Sequence, residues 1–213
     1  MDYATLMQNT AVLGAAGKMG TGITALVVEE MSRLALIEKR WKGHLVLIDA
    51  NRASFPGLLA YLKKQLTNYA EKQIVALRRA YADRSDLVDN SEIIEGFVED
   101  ALGMIETGAT VELAAGSALV FEAVIEHRPL KQKLLSTLAP LCPPETVFLT
   151  NTSSIPVTAV ASAAAKLALP RPGCSPRSWL PCVAFSPSPS SAVPCSVPRF
   201  RRRLRRVSAK CSP

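Results

Sequence analysis

Residues 14–20 have glycines at a spacing that suits phosphate binding. The segment reads Gly14-Ala15-Ala16-Gly17-Lys18-Met19-Gly20, and it lies between a short apolar run and a long helical pattern without proline. Glycines in such a turn allow a positive φ and let the backbone approach a pyrophosphate, which free N–H groups at the helix start then bind. The spacing is G-x-x-G-x-x-G, one residue longer than the usual G-x-G-x-x-G. The pattern predicts a dinucleotide-binding loop with contacts from Gly14, Gly17, Lys18, Met19 and Gly20.

Asp49 is a second candidate for nucleotide binding, because it directly follows the apolar run 45–48. A carboxylate at the end of such a strand accepts hydrogen bonds from the adenosine ribose and repels a 2′-phosphate, which favours NAD over NADP. Asp49 lies 29 residues beyond Gly20, against a usual separation of about 20. We interpret residues 29–44 as a longer first helix with its return loop. The alternative role for Asp49 is a helix N-cap.

Polar side chains follow two later apolar runs. Glu122-Ala123-Val124-Ile125-Glu126 follows the first run, and Thr150-Asn151-Thr152-Ser153-Ser154 follows the second. Ligands of open α/β sheets bind beyond the carboxyl ends of parallel strands, so these groups are expected beside the nucleotide. The alternative is structural, since Asn151 and Ser154 can satisfy a strand-to-helix turn. In the same way, Lys131 can be a solvated residue on a helix.

Alternating strand and helix patterns must position these groups. Apolar runs predict strands at 10–13, 45–48, 118–121 and 147–149, and helical patterns cover 18–39, 55 to beyond 69, 129–138 and 156–165. Two further helical pieces near 74–81 and 91–104 are interpreted as an insertion. Strands without polar alternation are buried on both faces, as in parallel sheets. The sequence therefore predicts an α/β Rossmann fold, a doubly wound and mostly parallel sheet with the first strand central.

The order of these motifs resembles the NAD-binding domain of the 3-hydroxyacyl-CoA dehydrogenases. That family has a glycine-rich loop, a strand ending in Asp, an E-A-x-x-E segment with a Lys five residues on, and N-T-S-S. The chain has all of them in order over about residues 8–165, including Lys131 and Asn151-Thr152-Ser153-Ser154. The glycine loop alone is also similar to that of dihydrodipicolinate reductases, which lack the two later motifs. The resemblance implies an NAD-dependent oxidoreductase of fatty-acid metabolism and beta-oxidation, acting on a 3-hydroxyacyl-CoA or 3-ketoacyl-CoA, with homodimeric relatives.

The resemblance also implies a role for each matching residue. Glu122 and Lys131 would contact NAD. Ser153 would lie between cofactor and substrate and hydrogen-bond the 3-hydroxyl oxygen, while Asn151 would shape that pocket. Glu126 would match the carboxylate that pairs with the catalytic histidine. The expected catalytic set is therefore Ser153, Glu126 and Asn151.

The family's catalytic histidine has no counterpart in this sequence. In the family it takes the hydroxyl proton, about 20 residues after N-T-S-S in an H-F-x-N-P segment. The corresponding residues 173–178 read G-C-S-P-R-S, and the chain's two histidines are His44 and His127. Neither has the right spacing, and we expect NAD binding with little turnover.

Composition changes abruptly after residue 166. Residues 1–166 hold 16 basic and 18 acidic side chains, whereas residues 167–213 hold nine basic ones and no acid. Nine of the 15 prolines follow residue 169, and residues 199–206 include six arginines. We predict a Rossmann domain at 1–166 and a basic, disordered Pro/Ser/Arg-rich tail at 167–213. The change resembles a shifted reading frame, and it would leave the last strand of the sheet as an uncovered edge.

The basic tail, the apolar runs and the cysteines bear on other classes of function. The alternative to an enzyme is an NAD-binding regulatory module whose basic tail contacts nucleic acid or acidic partners. The tail lacks the aromatic interleaving of known RNA motifs, so nucleic acid is disfavoured. No apolar run approaches the roughly 20 residues of a membrane span, and the start lacks a signal-peptide layout, so a cytoplasmic location is expected. The cysteines form no C-x-x-C pair, and no metal site is expected.

Overall fold

The computed structural model describes residues 2–38, 41–161 and 179–181. The helices are α1 (Tyr3–Gln8), α2 (Lys18–Ile37), α3 (Phe55–Lys72), α4 (Ile74–Ala80), α5 (Asn90–Gly103) and α6 (Arg128–Leu138). The strands are β1 (Asn9–Leu13), β2 (His44–Ile48), β3 (Ile105–Gly108), β4 (Leu119–Glu122), β5 (Val147–Thr150) and β6 (Trp179–Pro181). Short 3-10 turns occupy Arg52–Ser54, Val111–Ala114 and Ala139–Leu141, and residues 157–161 are helical.

The strands form one parallel sheet in the order β3-β2-β1-β4-β5-β6. The predicted doubly wound Rossmann fold is confirmed, with β1 at the centre between β2 and β4. Strand order reverses between β1 and β4, and in open α/β sheets the ligand-binding crevice lies at such a reversal, beyond the carboxyl ends of the strands. The glycine loop, Asp49, Glu122 and Thr150 each stand at such an end, so parallel pairing alone brings them to one edge of the sheet.

Both faces of the sheet are buried, as the unbroken apolar runs predict. Val12 of β1 belongs to the core under α1–α5, whereas its neighbours Ala11 and Leu13 face α6 on the other side. Strands β2, β4 and β5 alternate in the same way; Leu45 and Leu47 of β2 face the first core, and Val46 and Ile48 the second. This two-sided packing makes the central strands a rigid base for the groups at their ends.

The structure adds two elements that the sequence patterns missed. One is α1, and the other is β3, which pairs with β2 at the sheet edge. β3 reads Ile105-Glu106-Thr107-Gly108, and its two middle residues are exposed. A search for continuous apolar runs overlooks such a strand, because an edge strand needs no apolar side chains on its solvent side. The helices α3–α5 are thus an enlarged crossover from β2 to β3.

The structure also differs from prediction at the other edge. Instead of leaving β5 uncovered, the chain returns at β6, and Trp179–Pro181 pairs in parallel with Phe148–Thr150. Residues 162–178 and 182–213, with the predicted basic tail and its cysteines, lie outside the described residues. None of the described helices is long and apolar enough to cross a membrane. Within the described ranges, no three metal-ligating side chains cluster together.

Candidate nucleotide-binding and active site

The glycine loop is shaped by two close backbone approaches. Gly14 has φ of +75°, and a side chain there would press against the backbone of Ala123 in the loop after β4. Gly20, in the first turn of α2, packs so closely on the Gly14 carbonyl that an added Cβ would overlap it. The Gly14 and Ala15 N–H groups donate to the Ile48 carbonyl at 2.7 and 3.1 Å, which binds the loop to the end of β2. Only glycine fits at either position.

The start of α2 leaves donors available for an anion. Gly17 is the N-cap residue, and the first backbone hydrogen bond of the helix runs from Thr21 N–H to the Gly17 carbonyl at 2.9 Å. Among the described residues, the N–H groups of Lys18, Met19 and Gly20 have no backbone acceptor. Unsatisfied N–H groups and the positive end of the helix dipole together favour a phosphate. This donor set and the cradle kept open by the glycines fit the pyrophosphate of a dinucleotide.

Asp49 is bonded to the glycine loop itself. Its Oδ2 accepts from Ala16 N–H at 3.1 Å, and its Oδ1 accepts from Asn51 N–H at 3.0 Å. The side chain does not cap α3, whose N-cap residue is Ser54, so the alternative of an N-cap is wrong for that helix. A carboxylate offers about four acceptor positions, and two remain for ribose hydroxyls. Asp49 therefore supports the loop, and its contact with the adenosine ribose stays a prediction.

Glu122 and Lys131 form a buried ion pair beneath the site. The Lys131 ammonium on α6 donates to the two Glu122 oxygens at 2.7 and 2.9 Å, and both side chains are 1% exposed. Glu122 also accepts from Val124 N–H at 2.9 Å and from the Thr150 hydroxyl. Lys131 is therefore not a solvated helix residue. Contact of Glu122 and Lys131 with NAD stays a prediction, and in this structure both side chains bind protein groups.

Glu126 holds the segment after β5. One of its oxygens, Oε1, accepts from the Thr152 hydroxyl at 2.6 Å, from the Ser153 and Ser154 N–H groups at 3.0 and 2.9 Å, and from the Ser154 hydroxyl at 3.0 Å. The other lies 3.3 Å from the Lys131 ammonium. Burial raises the pKa of this carboxyl, but the hydrogen bonds from Thr152, Ser154 and Ser153 outweigh burial and hold it well below its usual range. Glu126 is thus an anion in a nest of donors.

Asn151 and Ser153 face away from these anchors. The Asn151 N–H donates to the Glu122 carbonyl at 2.8 Å, which extends the sheet ladder by one residue. Within the described part of the chain, neither the side-chain amide of Asn151 nor the hydroxyl of Ser153 makes a hydrogen bond, and Ser153 is exposed. The structure therefore brings the predicted catalytic groups to the carboxyl ends of β4 and β5, beside the glycine loop. Their catalytic roles stay predictions.

Of the two histidines, His127 lies on the same side of the sheet as this edge, in the segment between β4 and α6 that also carries Glu126, whereas His44 does not. His127 is the N-cap residue of α6, as its spacing predicts, and it is exposed. His44 begins β2 and pairs with Glu106 at 2.9 Å, at the opposite end of the strands. A cavity of about 720 Å³ also lies at that opposite end, lined by residues such as Gly43 and Met104 that precede β2 and β3. The residues that line this cavity include none of the glycine loop, Asp49 or residues 122–126. We therefore assign the site by its hydrogen-bond donors rather than by cavity size.

Residues 9–168 of the sequence match a family model described as "3-hydroxyacyl-CoA dehydrogenase, NAD binding domain". The chain belongs to this family. The cofactor of this 3-hydroxyacyl-CoA dehydrogenase domain is accordingly NAD. Two curated relatives agree with the assignment. The chain is 28% identical over 152 residues to a probable 3-hydroxybutyryl-CoA dehydrogenase of Bacillus subtilis, covering 71% of this chain and 42% of the relative. It is 28% identical over 157 residues to the 3-hydroxyadipyl-CoA dehydrogenase of Escherichia coli, covering 73% and 26%.

Solved structures show the same fold. The (S)-3-hydroxybutyryl-CoA dehydrogenase of Ralstonia eutropha superposes with a TM-score of 0.54 at 18% identity, covering 82% of this chain and 48% of that one. The 3-hydroxybutyryl-CoA dehydrogenase of Escherichia coli gives a TM-score of 0.53 at 23% identity, covering 86% and 30%. The 3-hydroxyacyl-CoA dehydrogenase domain described here thus spans less than half the length of these relatives.

Two site residues escaped the sequence reasoning. Thr150 and Thr152 flank Asn151, are 1% and 8% exposed, and bind Glu122 and Glu126 through their hydroxyls. A usable signal was present, because hydroxyl residues alternate with Asn151 and Ser153 at a strand end, where alternate side chains point in opposite directions.

Proposed function

We propose that the chain supplies the nucleotide-binding half of an NAD-dependent 3-hydroxyacyl-CoA dehydrogenase. The reaction moves a hydride from C3 of a 3-hydroxyacyl-CoA to NAD, while the hydroxyl proton passes to a base and a 3-ketoacyl-CoA forms. The proposal rests on one observation above the others. A helix start with three N–H groups that lack a backbone acceptor follows β1, and a segment whose Asn151 side-chain amide and Ser153 hydroxyl make no hydrogen bond with a described residue follows β5, so both lie at the carboxyl ends of one parallel sheet.

The chain's own residues would divide the work as follows. The N–H groups of Lys18, Met19 and Gly20 would hold the pyrophosphate, and Gly14 and Gly17 would keep the cradle open. The Asp49 carboxylate would bind the adenosine ribose and disfavour a 2′-phosphate. NAD, once bound, supplies the acceptor for the hydride.

Across the crevice, the second set of groups would face the reacting atoms. The Ser153 hydroxyl would donate a hydrogen bond to the oxygen on C3, and the Asn151 amide would line the same pocket. Glu126 is expected to remain ionised and to orient these groups, because its pKa is lowered by its donors. Glu122 and Lys131 would support the cofactor side from below. The proposal includes a cytoplasmic, homodimeric enzyme.

Proton transfer is the step for which the sequence has no histidine at the family's position, about 20 residues after N-T-S-S. The two histidines lie at the start of β2 and at the N-cap of α6. Loss of a general base lowers the rate by about 10²–10⁴-fold. We therefore expect NAD binding to be preserved and turnover to be weak.

The test is a titration of the purified chain with NADH, in which the fluorescence of the cofactor reports binding. Acetoacetyl-CoA is then added to the same cuvette. Saturable binding with little oxidation of NADH is the expected result. Rapid oxidation would mean that another residue transfers the proton. Failure of NADH to bind would overturn the proposal itself.

A further inference from the structure

The threonines on either side of Asn151 carry an inference that rests on the proposed function. Thr150 ends β5, and its hydroxyl binds Glu122; Thr152 follows two residues later, and its hydroxyl binds Glu126 at 2.6 Å. The Thr152 N–H also donates to the Thr150 hydroxyl at 3.2 Å. Each threonine hydroxyl thus donates a hydrogen bond to a carboxylate of the neighbouring strand β4 or of the loop that follows it.

These contacts close a ring through three elements of the fold. Lys131 on α6 binds Glu122 of β4 at 2.7 Å, Glu122 binds Thr150 of β5, and Thr150 binds Thr152. Thr152 binds Glu126, whose second oxygen lies 3.3 Å from Lys131 again. Because the ring is buried on most of its circumference, moving any member breaks a hydrogen bond to a charged group, which is among the stronger kinds in proteins.

The ring constrains which side chains can face the crevice. In an extended segment, residues two apart share one side of the chain. Anchoring Thr150 and Thr152 inward therefore turns Asn151 outward, and at Ser153 the chain bends because the Ser153 and Ser154 N–H groups both bind Glu126, which leaves the Ser153 side chain exposed. The polar side-chain atoms of Asn151 and Ser153 have no partner among the described residues. The orientation of the two outward groups is set by the two inward ones.

The side chains of Asn151 and Ser153 lie on the side of the crevice away from Asp49. Asp49, at the end of β2, marks the adenosine side of the crevice, and β4 and β5 lie across the strand reversal from it. We infer that Thr150 and Thr152 are positioning residues, which hold Asn151 and Ser153 against the nicotinamide end of the cofactor and leave the adenosine end untouched.

The test compares two ligands on matched variants. NADH has a nicotinamide, whereas ADP-ribose has only the adenosine, pyrophosphate and second ribose. Thr152→Val keeps the side-chain shape but removes the hydroxyl, and we expect its Kd for NADH to rise about tenfold, as for loss of one hydrogen bond to a charged group. Its Kd for ADP-ribose is expected to stay within about twofold of wild type, and Thr152→Ser is expected to restore NADH binding. Thr150→Val and Thr150→Ser are expected to behave in the same way.

Thr146→Val is the matched control. Thr146 precedes the other end of β5, is 1% exposed, and donates its hydroxyl to the Ser117 carbonyl at 2.7 Å. Its loss removes a buried hydroxyl far from the crevice, so both ligands should bind as in wild type.

Four results would count against the inference. Equal NADH affinity in Thr152→Val and wild type would overturn it. Parallel loss of NADH and ADP-ribose binding, with a lower Tm, would also overturn it, since the threonine would then serve folding alone. If wild type binds ADP-ribose but not NADH, the nicotinamide end is wrongly placed; if it binds neither, the proposed function falls first and the inference with it.

Discussion

The Lys131 ammonium stands between two carboxylates, 2.7 Å from Glu122 and 3.3 Å from Glu126. It is 1% exposed, as is Glu122, whereas about a third of the Glu126 side chain is exposed. One cation therefore serves a buried anion and a partly exposed one, and it connects α6 to the end of β4 and to the loop after it. Lys131 therefore holds the carboxylates of Glu122 and Glu126 in place.

Removing the shared cation should destabilise the whole domain. In Lys131→Met the Glu122 carboxylate stays buried without its partner, and we expect the free energy of unfolding to fall by about 3–5 kcal/mol. Urea unfolding measures the change. The control is Lys133→Met, an exposed position two residues along the same helix, where a change within about 0.5 kcal/mol is expected. Equal effects of the two variants would contradict the buried-pair interpretation.

The glycine loop allows a sharply matched pair of variants. Gly20→Ala would place a methyl group on the Gly14 carbonyl, so the loop must move and NADH affinity is expected to fall by at least about tenfold. Gly22→Ala, two residues further along α2, meets nothing within 4 Å. It should leave affinity unchanged and raise stability by about 0.5–1 kcal/mol, because alanine is the better helix former. NADH fluorescence titration and thermal unfolding test both, and undiminished binding by Gly20→Ala would refute the assignment of the loop.

Asp49 should set the choice between NADH and NADPH. Asp49→Asn retains an oxygen that can accept from Ala16 N–H but removes the negative charge, so the loop survives while the repulsion of a 2′-phosphate is lost. We expect the ratio of the NADPH and NADH dissociation constants to fall by about tenfold, roughly what 1.4 kcal/mol of lost discrimination produces. Parallel titrations with both nucleotides measure the ratio. An unchanged ratio would mean that Asp49 serves only the loop.

Acid should weaken the segment after β5 through Glu126. Its pKa is lowered in the folded chain by the Thr152, Ser154 and Ser153 donors, so between the folded and unfolded pKa values the unfolded chain binds more protons. The stabilisation is present above the ordinary glutamate pKa of about 4.3 and is lost as pH falls through the folded value. Wild type should therefore exceed Glu126→Gln in unfolding free energy by a constant margin at pH 6–8, with the margin shrinking below about pH 4. A margin independent of pH would contradict an ionised Glu126.

Much of the fold could be predicted because its central strands are buried on both faces. The runs at β1, β2, β4 and β5 lie within one residue of their predicted ends, and the helices α2, α3 and α6 follow the predicted patterns. β3 was missed because it is an edge strand, where Glu106 and Thr107 are exposed and leave no apolar run to detect. Prediction succeeded where burial dictates composition and failed where backbone pairing alone makes the strand.

The candidate site divides along a similar line. Glycine spacing and the acid after β2 are local patterns, so the loop and Asp49 could be found from sequence order alone. The partners of Lys131 could not, because nothing in its spacing distinguishes a buried cation from a solvated one until β4, β5 and α6 are assembled. The roles of Thr150 and Thr152 were hidden for the same reason, since their hydroxyls bind carboxylates 28 and 26 residues earlier in the chain, respectively.

The sixth strand changes how this polypeptide should be divided. The break in composition falls near residue 166, yet the hydrogen-bond ladder continues to Pro181. Cutting the gene at the compositional break would remove β6 from β5 and expose the polar backbone of Phe148–Thr150, the strand that ends at the predicted catalytic segment. Such an open flank pairs readily with any other extended chain. Expression of the nucleotide-binding unit by itself is therefore better served by a terminus beyond residue 181 than by one placed where the charge changes sign.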